Sequence, residues 1–247
     1  MELILRPLAV LRWLRTVIGC LLSGQLACVV WSFVLQRGHL PFGFRYFSFD
    51  TELSLPTWFS VLLLAACAGT LGGIARDAHL SGARFERHWW VLAAGFAYLS
   101  VDEFAQMHES LIPRVQQALG ASDLFYYGWT FVAVPVLVVV AVAFMGFLRH
   151  LPPRTRRRFI IAGSLYVGGA VLLEALGGWY RSTIVWPDLA WGLLVTLEEL
   201  MEMSGTALFF VALLAYVSEE LGGGKLRVPS VRVGSATPVA PATLAAD

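Results

Sequence analysis

Residues 191–217 read WGLLVTLEELMEMSGTALFFVALLAYV, and the only charged side chains among them are Glu198, Glu199 and Glu202. About 20 apolar residues suffice for a helix to cross the hydrocarbon of a bilayer. A helix apolar on every side belongs in a membrane or a large core. An ionisable group at bilayer depth costs roughly 2.5–3.5 kcal/mol on the insertion scale, so such residues are held for a function by default. This stretch therefore predicts a transmembrane helix carrying a carboxylate site.

The rest of the chain extends the pattern. It has 247 residues, 57% hydrophobic and 14% charged, with a mean hydropathy of +0.69, whereas soluble domains run nearer 25% charged. No basic run alternates with aromatics, which excludes a nucleic-acid interface. Cys20, Cys28 and Cys67 lie in apolar stretches with no zinc or redox spacing and read as core-packing residues. No cleaved signal peptide is expected, because Arg12 and Arg15 interrupt the first apolar run.

Six apolar runs stand out, at about 16–35, 57–75, 89–111, 128–148, 159–179 and 191–217. Pro56, Pro113, Pro152-Pro153 and Gly222-Gly223-Gly224 bound them. In lipid every backbone group needs an internal partner, so these runs must be helices. The expectation is an all-α, polytopic bundle of six transmembrane helices over residues 1–221. Residues 222–247, rich in Gly, Pro and small side chains, read as a disordered cytoplasmic tail. The first eleven residues read as a short interfacial stretch.

Basic residues orient the bundle. With the N-terminus inside, fourteen of the 18 Lys and Arg fall on the inner side; only Arg37, Arg45, Arg114 and Arg181 fall outside. Tryptophan placement agrees: Trp58, Trp129, Trp179, Trp186 and Trp191 sit at outer ends and Trp13, Trp89 and Trp90 at inner ends. The topology predicted is N-in, C-in.

On that topology, acids from three helices reach one level in the outer half of the bilayer. Asp102, Glu103 and Glu109 come from the third run, Glu174 from the fifth, and Glu198, Glu199 and Glu202 from the sixth. At 100° per residue, Asp102, Gln106 and Glu109 share a face, and Ala170, Glu174, Gly177 and Gly178 form a small-residue face that admits close helix approach. Arg114 and Arg181 are the only bases near this depth. His108 is the only histidine there, since His39 lies in an outer loop and His79, His88 and His150 lie inside. Carboxylates with a histidine are the ligand set of dimetal sites in helical bundles.

The predicted metal ligands are therefore Asp102, Glu103, His108, Glu109, Glu174, Glu198, Glu199 and Glu202. Such oxygen-rich ligands favour a hard or borderline divalent metal, iron or manganese first, with calcium or magnesium as alternatives. A protonated acid cluster without metal, and plain structural packing, are the competing readings. The aromatic outer loop 41–50 reads as an interfacial anchor or a lid, and Asp50 and Glu52 could reach the acids from it.

Three segments carry a family resemblance: FDTELSLPTWFS (49–60), LSVDE with HE (99–103, 108–109), and LEE with Glu202 (197–199, 202). They resemble an uncharacterised family of bacterial multi-pass inner-membrane proteins over roughly residues 45–217. The resemblance implies a bacterial inner membrane, and it supplies no activity; the cytoplasmic placement of both termini comes from the basic-residue count. Three function classes follow from the residues. The first is a membrane metalloenzyme, oxidoreductase or hydrolase, acting on a lipid-soluble or periplasmic substrate. The second is a cation or proton-coupled transporter, and the third an accessory or assembly subunit of a membrane complex.

Overall fold

The computed structural model describes residues 7–37, 39–51, 53–107 and 130–221. Among them every regular element is helical. They form α1 (Pro7–Val34, its last turn π-helical from Val30), α2 (Leu55–Leu80), α3 (Glu86–Ala105), α4 (Thr130–His150), α5 (Pro153–Thr183) and α6 (Leu189–Glu220). A short 3-10 turn, Phe44–Phe47, interrupts the loop between α1 and α2.

Five of these helices are long and apolar enough to span a bilayer, which makes the chain a multi-pass, membrane-embedded helical protein. The third predicted span, 89–111, is represented among the described residues by α3, a helix of 20 residues that is not one of these five. Its twenty residues end in Asp102 and Glu103 and begin with Glu86, Arg87 and His88, and these offset its apolar centre. The helix also stops early. Gln106 adopts a left-handed conformation (φ 51°, ψ 43°) and donates its N–H to the Asp102 carbonyl. A non-glycine residue there costs roughly 1–2 kcal/mol and persists only where its surroundings impose it. The helix predicted to run to residue 111 thus ends at Ala105.

Other boundaries shift outward. α1 is already helical at Pro7, inside the stretch expected to be interfacial. Arg12 and Arg15 lower the hydropathy there but not the helix, because both side chains are exposed and long enough to reach a headgroup layer. The predicted tail, 222–247, lies outside the described residues.

Local signals account for most helix ends. Ser54 accepts from the Thr57 N–H to cap α2, and Asp188 accepts from the Trp191 N–H to cap α6. Gly82, at φ +65°, ends α2: its N–H bonds the His79 carbonyl and the Ala83 N–H bonds the Ala78 carbonyl. That six-to-one pairing needs a residue with no Cβ penalty at positive φ. It turns the chain straight back into α3, which packs along α2 and is tied to it by Ser100 Oγ donating to the Val61 carbonyl.

α6 is the hub, contacting α1, α2 and α5. In lipid, helices associate by close packing of small residues rather than by a hydrophobic drive. Gly192 receives Phe33 of α1, and Gly205 receives the backbone of Tyr166 on α5. The arginine-rich end of the bundle is filled by Trp89, Phe147, Phe159, Phe209, Leu213 and Val217. α4 joins the bundle mainly at this end; elsewhere Val136, Val138, Val139 and Val142 face outward, as a lipid-facing helix requires.

Candidate functional site, a carboxylate cluster

At the other end of the bundle, α6 presents Glu198, Glu199 and Glu202 within little more than one turn. The wall facing them is α5, and glycine sets its distance. A Cβ on Gly169 would lie 2.8 Å from the Glu198 carbonyl oxygen and 2.8 Å from Glu202 Cγ, and one on Gly177 would lie 3.8 Å from Glu198 Oε2. The small-residue face of α5 is therefore real, but Gly169 makes its closest approach. The cause is a π-helical turn, Gly168–Leu173, directly before Glu174. It inserts extra residues into the turn and shifts the phase that a uniform 100° step assigns; such turns recur at functional sites.

The acids meet across helices. The charges of Glu103 on α3, Glu174 on α5 and Glu198 on α6 all act on Glu199 and Glu202, and Glu199 acts on Glu202. Glu174 also acts on Glu198. Glu103, Glu174, Glu198, Glu199 and Glu202 therefore lie within charge reach of one another. Asp102 is 8% exposed, and its charge reaches Tyr98 and Tyr166. Glu103, one residue along the helix, is the α3 side chain that enters the group. His108 and Glu109 lie outside the described residues, as do Arg114 and Glu52.

Two further residues belong here: Tyr166, which the sequence did not single out, and Asp50, which it named only as able to reach the acids. Tyr166 on α5 lies within charge reach of Glu202, Glu103, Asp102 and Glu199, so a phenol borders the acids on the side of the apolar core. Asp50, in the loop between α1 and α2, acts on Glu198 and Glu199. Surrounding protein atoms raise its carboxyl above the ordinary range, although the residue keeps contact with solvent. A hydrogen bond from the Trp191 side chain and the Arg181 charge pull the other way. Arg181 also donates to the Ile184 carbonyl, which holds it at the mouth of the cluster.

Among the described residues, no ion pair or hydrogen bond reaches the side chains of Glu198, Glu199 or Glu202. Each of the three residues is half-buried. The described residues contain no group of three His, Cys, Asp or Glu side chains drawn close enough to hold a metal ion. The arrangement is a set of carboxylates from three helices within charge reach of one another.

A family model described as a domain of unknown function (DUF8692) matches residues 14–217. No curated protein and no solved structure matches the chain.

Proposed function

The chain belongs to the DUF8692 family, and we propose that as a member of it this protein is a multi-pass protein of a bacterial inner membrane whose work is cation binding by the carboxylate cluster. The observation that carries this reading is that Glu198, Glu199 and Glu202 on α6 lie within charge reach of Glu103 and Glu174 on two other helices. Carboxylates gathered in low-dielectric surroundings need counter-charge from a metal, from protons or from basic side chains. Arg181 approaches Asp50, and no described basic group bonds the three glutamates of α6. Cations or protons are the counter-charge this reading assigns to the three glutamates of α6.

The concentration of Arg76, Arg84, Arg87, Arg149 and Arg154–Arg158 at the opposite end supports cytoplasmic termini and a cluster opening toward the periplasm. The donor chemistry suits a hard or borderline divalent ion, iron or manganese before calcium or magnesium. The spacing does not fit a bound ion in this conformation, because no three donors are close enough to share one. No catalytic step is therefore routed through a metal. What the residues themselves supply is acid and base groups, Glu199, Glu202 and the Tyr166 phenol, for a lipid-soluble or periplasmic substrate. The packed aromatic floor at Trp89, Phe159 and Phe209 favours binding or catalysis over a transporter's continuous path.

The test is elemental analysis of detergent-purified protein grown with added iron or manganese, compared with a Glu198→Gln, Glu202→Gln variant. A stoichiometric divalent metal that the variant loses is the expected result. Wild-type protein free of metal would leave protons as the sole occupants and refute the metal form of the reading.

A further inference from the structure

α4 ends at His150 and α5 begins at Pro153, and both are long and apolar enough to span a bilayer. Only Leu151 and Pro152 join them, so this corner lies at a membrane surface whichever way the bundle is oriented. The chain places Arg149, Arg154, Arg156, Arg157 and Arg158 around it. The first turn of α5 holds no acid, and its N-cap, Pro152, offers no side chain that bonds the helix end. Basic groups at the positive end of a helix repel it as well as one another, and an anion relieves both.

The acids at this end leave most of that charge unmatched. Glu219 pairs with Arg158 at 3.0 Å, Glu86 pairs with His79 at 2.9 Å, and Asp77 and Glu220 act on Tyr216. Among the described residues, no acid bonds Arg149, Arg154, Arg156 or Arg157. The turn between α2 and α3 adds Arg84 to the same patch. Its guanidinium lies 5.3 Å from the centre of the Phe85 ring, and that ring lies 5.0 Å from the ring of His150.

The outward face of α5 changes character within one turn. Thr155, Phe159 and Ala162 are buried in the bundle, which leaves Arg154, Arg157, Ile160 and Ile161 exposed on the other side. Ile160 and Ile161, 50% and 49% exposed, follow Arg157 by three and four positions, so they lie about 4.5–6 Å deeper along the axis. The headgroup layer of one leaflet is roughly 5–7 Å thick. Positive charge followed at that depth by bare hydrocarbon complements an anionic phospholipid, with its phosphate above and its acyl chains below.

We propose that the α4–α5 corner binds an anionic phospholipid, its phosphate held by Arg154 and Arg157 and its chains lying along Ile160 and Ile161. A guanidinium can give a phosphate two parallel N–H bonds, which suits arginine to the task. A free phosphate would satisfy the arginines but leave the isoleucines without a partner. The carboxylate cluster at the other end of the bundle has no part in this site.

Native mass spectrometry of the full-length protein in detergent tests it, with titration by dioleoyl phosphatidylglycerol or by dioleoyl phosphatidylcholine, whose choline cancels the phosphate charge. Wild type is expected to hold phosphatidylglycerol about 25-fold tighter, about fivefold for each of the two arginines near an anionic headgroup. Arg154→Gln and Arg157→Gln should each lose about fivefold, and the double variant should lose the preference, with phosphatidylcholine binding unchanged. Both side chains are exposed, so neither change removes packing. Arg45→Gln, at an exposed position in the loop between α1 and α2, controls for charge alone and should change nothing. Equal affinity of wild type for the two lipids, or a double variant that keeps the preference, overturns the site. A loss of the same size in Arg45→Gln overturns it too, because the attraction is then diffuse. Inorganic phosphate bound as tightly as phosphatidylglycerol, and lost in the double variant, overturns the lipid assignment in favour of a soluble anion.

Discussion

Gly205 is where the α5–α6 contact that frames the site tolerates least. A Cβ there would stand 2.6 Å from the Tyr166 nitrogen and 2.9 Å from its Cα and Cβ, so the obstruction is mostly backbone and cannot rotate away. Carbon contacts settle at about 3.5–4.0 Å, so Gly205→Ala must push α6 and α5 apart by roughly 1 Å locally. Overpacking of that kind costs about 1–3 kcal/mol. The substitution also raises helix propensity by about 1 kcal/mol, which would blur a simple comparison. Gly163→Ala is the matched control: it lies on α5, with nothing within 4 Å of the added methyl, and gains the same propensity. The difference between the two variants isolates the packing term at about 2 kcal/mol. At about 2–4 °C per kcal/mol for a chain of this length, Gly205→Ala should unfold about 4–8 °C below Gly163→Ala. Fluorescence-detected size-exclusion after heating in detergent measures the gap. Equal midpoints would refute the close α5–α6 approach, and with it the seating of Glu202 against α5.

Thr155 is 0% exposed and its hydroxyl has no hydrogen-bond partner among the described residues, so Thr155→Val should raise the unfolding midpoint, with a gain of about 1 kcal/mol. Arg158 and Glu219 pair at 3.0 Å across α5 and α6 with 40% and 41% of their side chains exposed, and Arg158→Gln should cost under about 0.5 kcal/mol by the same measurement. Asp188 is held below the ordinary carboxylate range, first by the Tyr180 hydroxyl at 2.6 Å and then by the Trp191 N–H. A depressed acid contributes stability that is present above its unfolded value of 3.8 and lost as pH falls through its lower folded value. The midpoint gap between wild type and Asp188→Asn should therefore shrink on acidification below about pH 4, and Tyr180→Phe should shrink it at neutral pH.

The helices were legible in the chain because each depends on residues a few positions apart, and their caps are local in the same way. Apolar runs in lipid have no alternative to the helix, Ser54 and Asp188 cap through an N–H three residues on, and Glu198, Glu199 and Glu202 share a broad face by helical period alone. The small-residue face of α5 was legible in kind but not in phase, since the π-helical turn at Gly168–Leu173 is set by packing against α6. The end of α3 was misread for a related reason: nothing local in Gln106 demands a left-handed backbone.

The membership of the site lay furthest from view. Gln25 and Thr196 stand 171 positions apart, and their hydrogen bond exists only because α1 and α6 pack together. Tyr166 and Asp50 join the acids through the same assembly of helices. Hydropathy and helical period are short-range quantities, so the sequence alone determined that this chain enters a membrane and carries acids there. Which of those acids lie within charge reach of one another is decided by contacts between distant segments and became visible only in the tertiary structure.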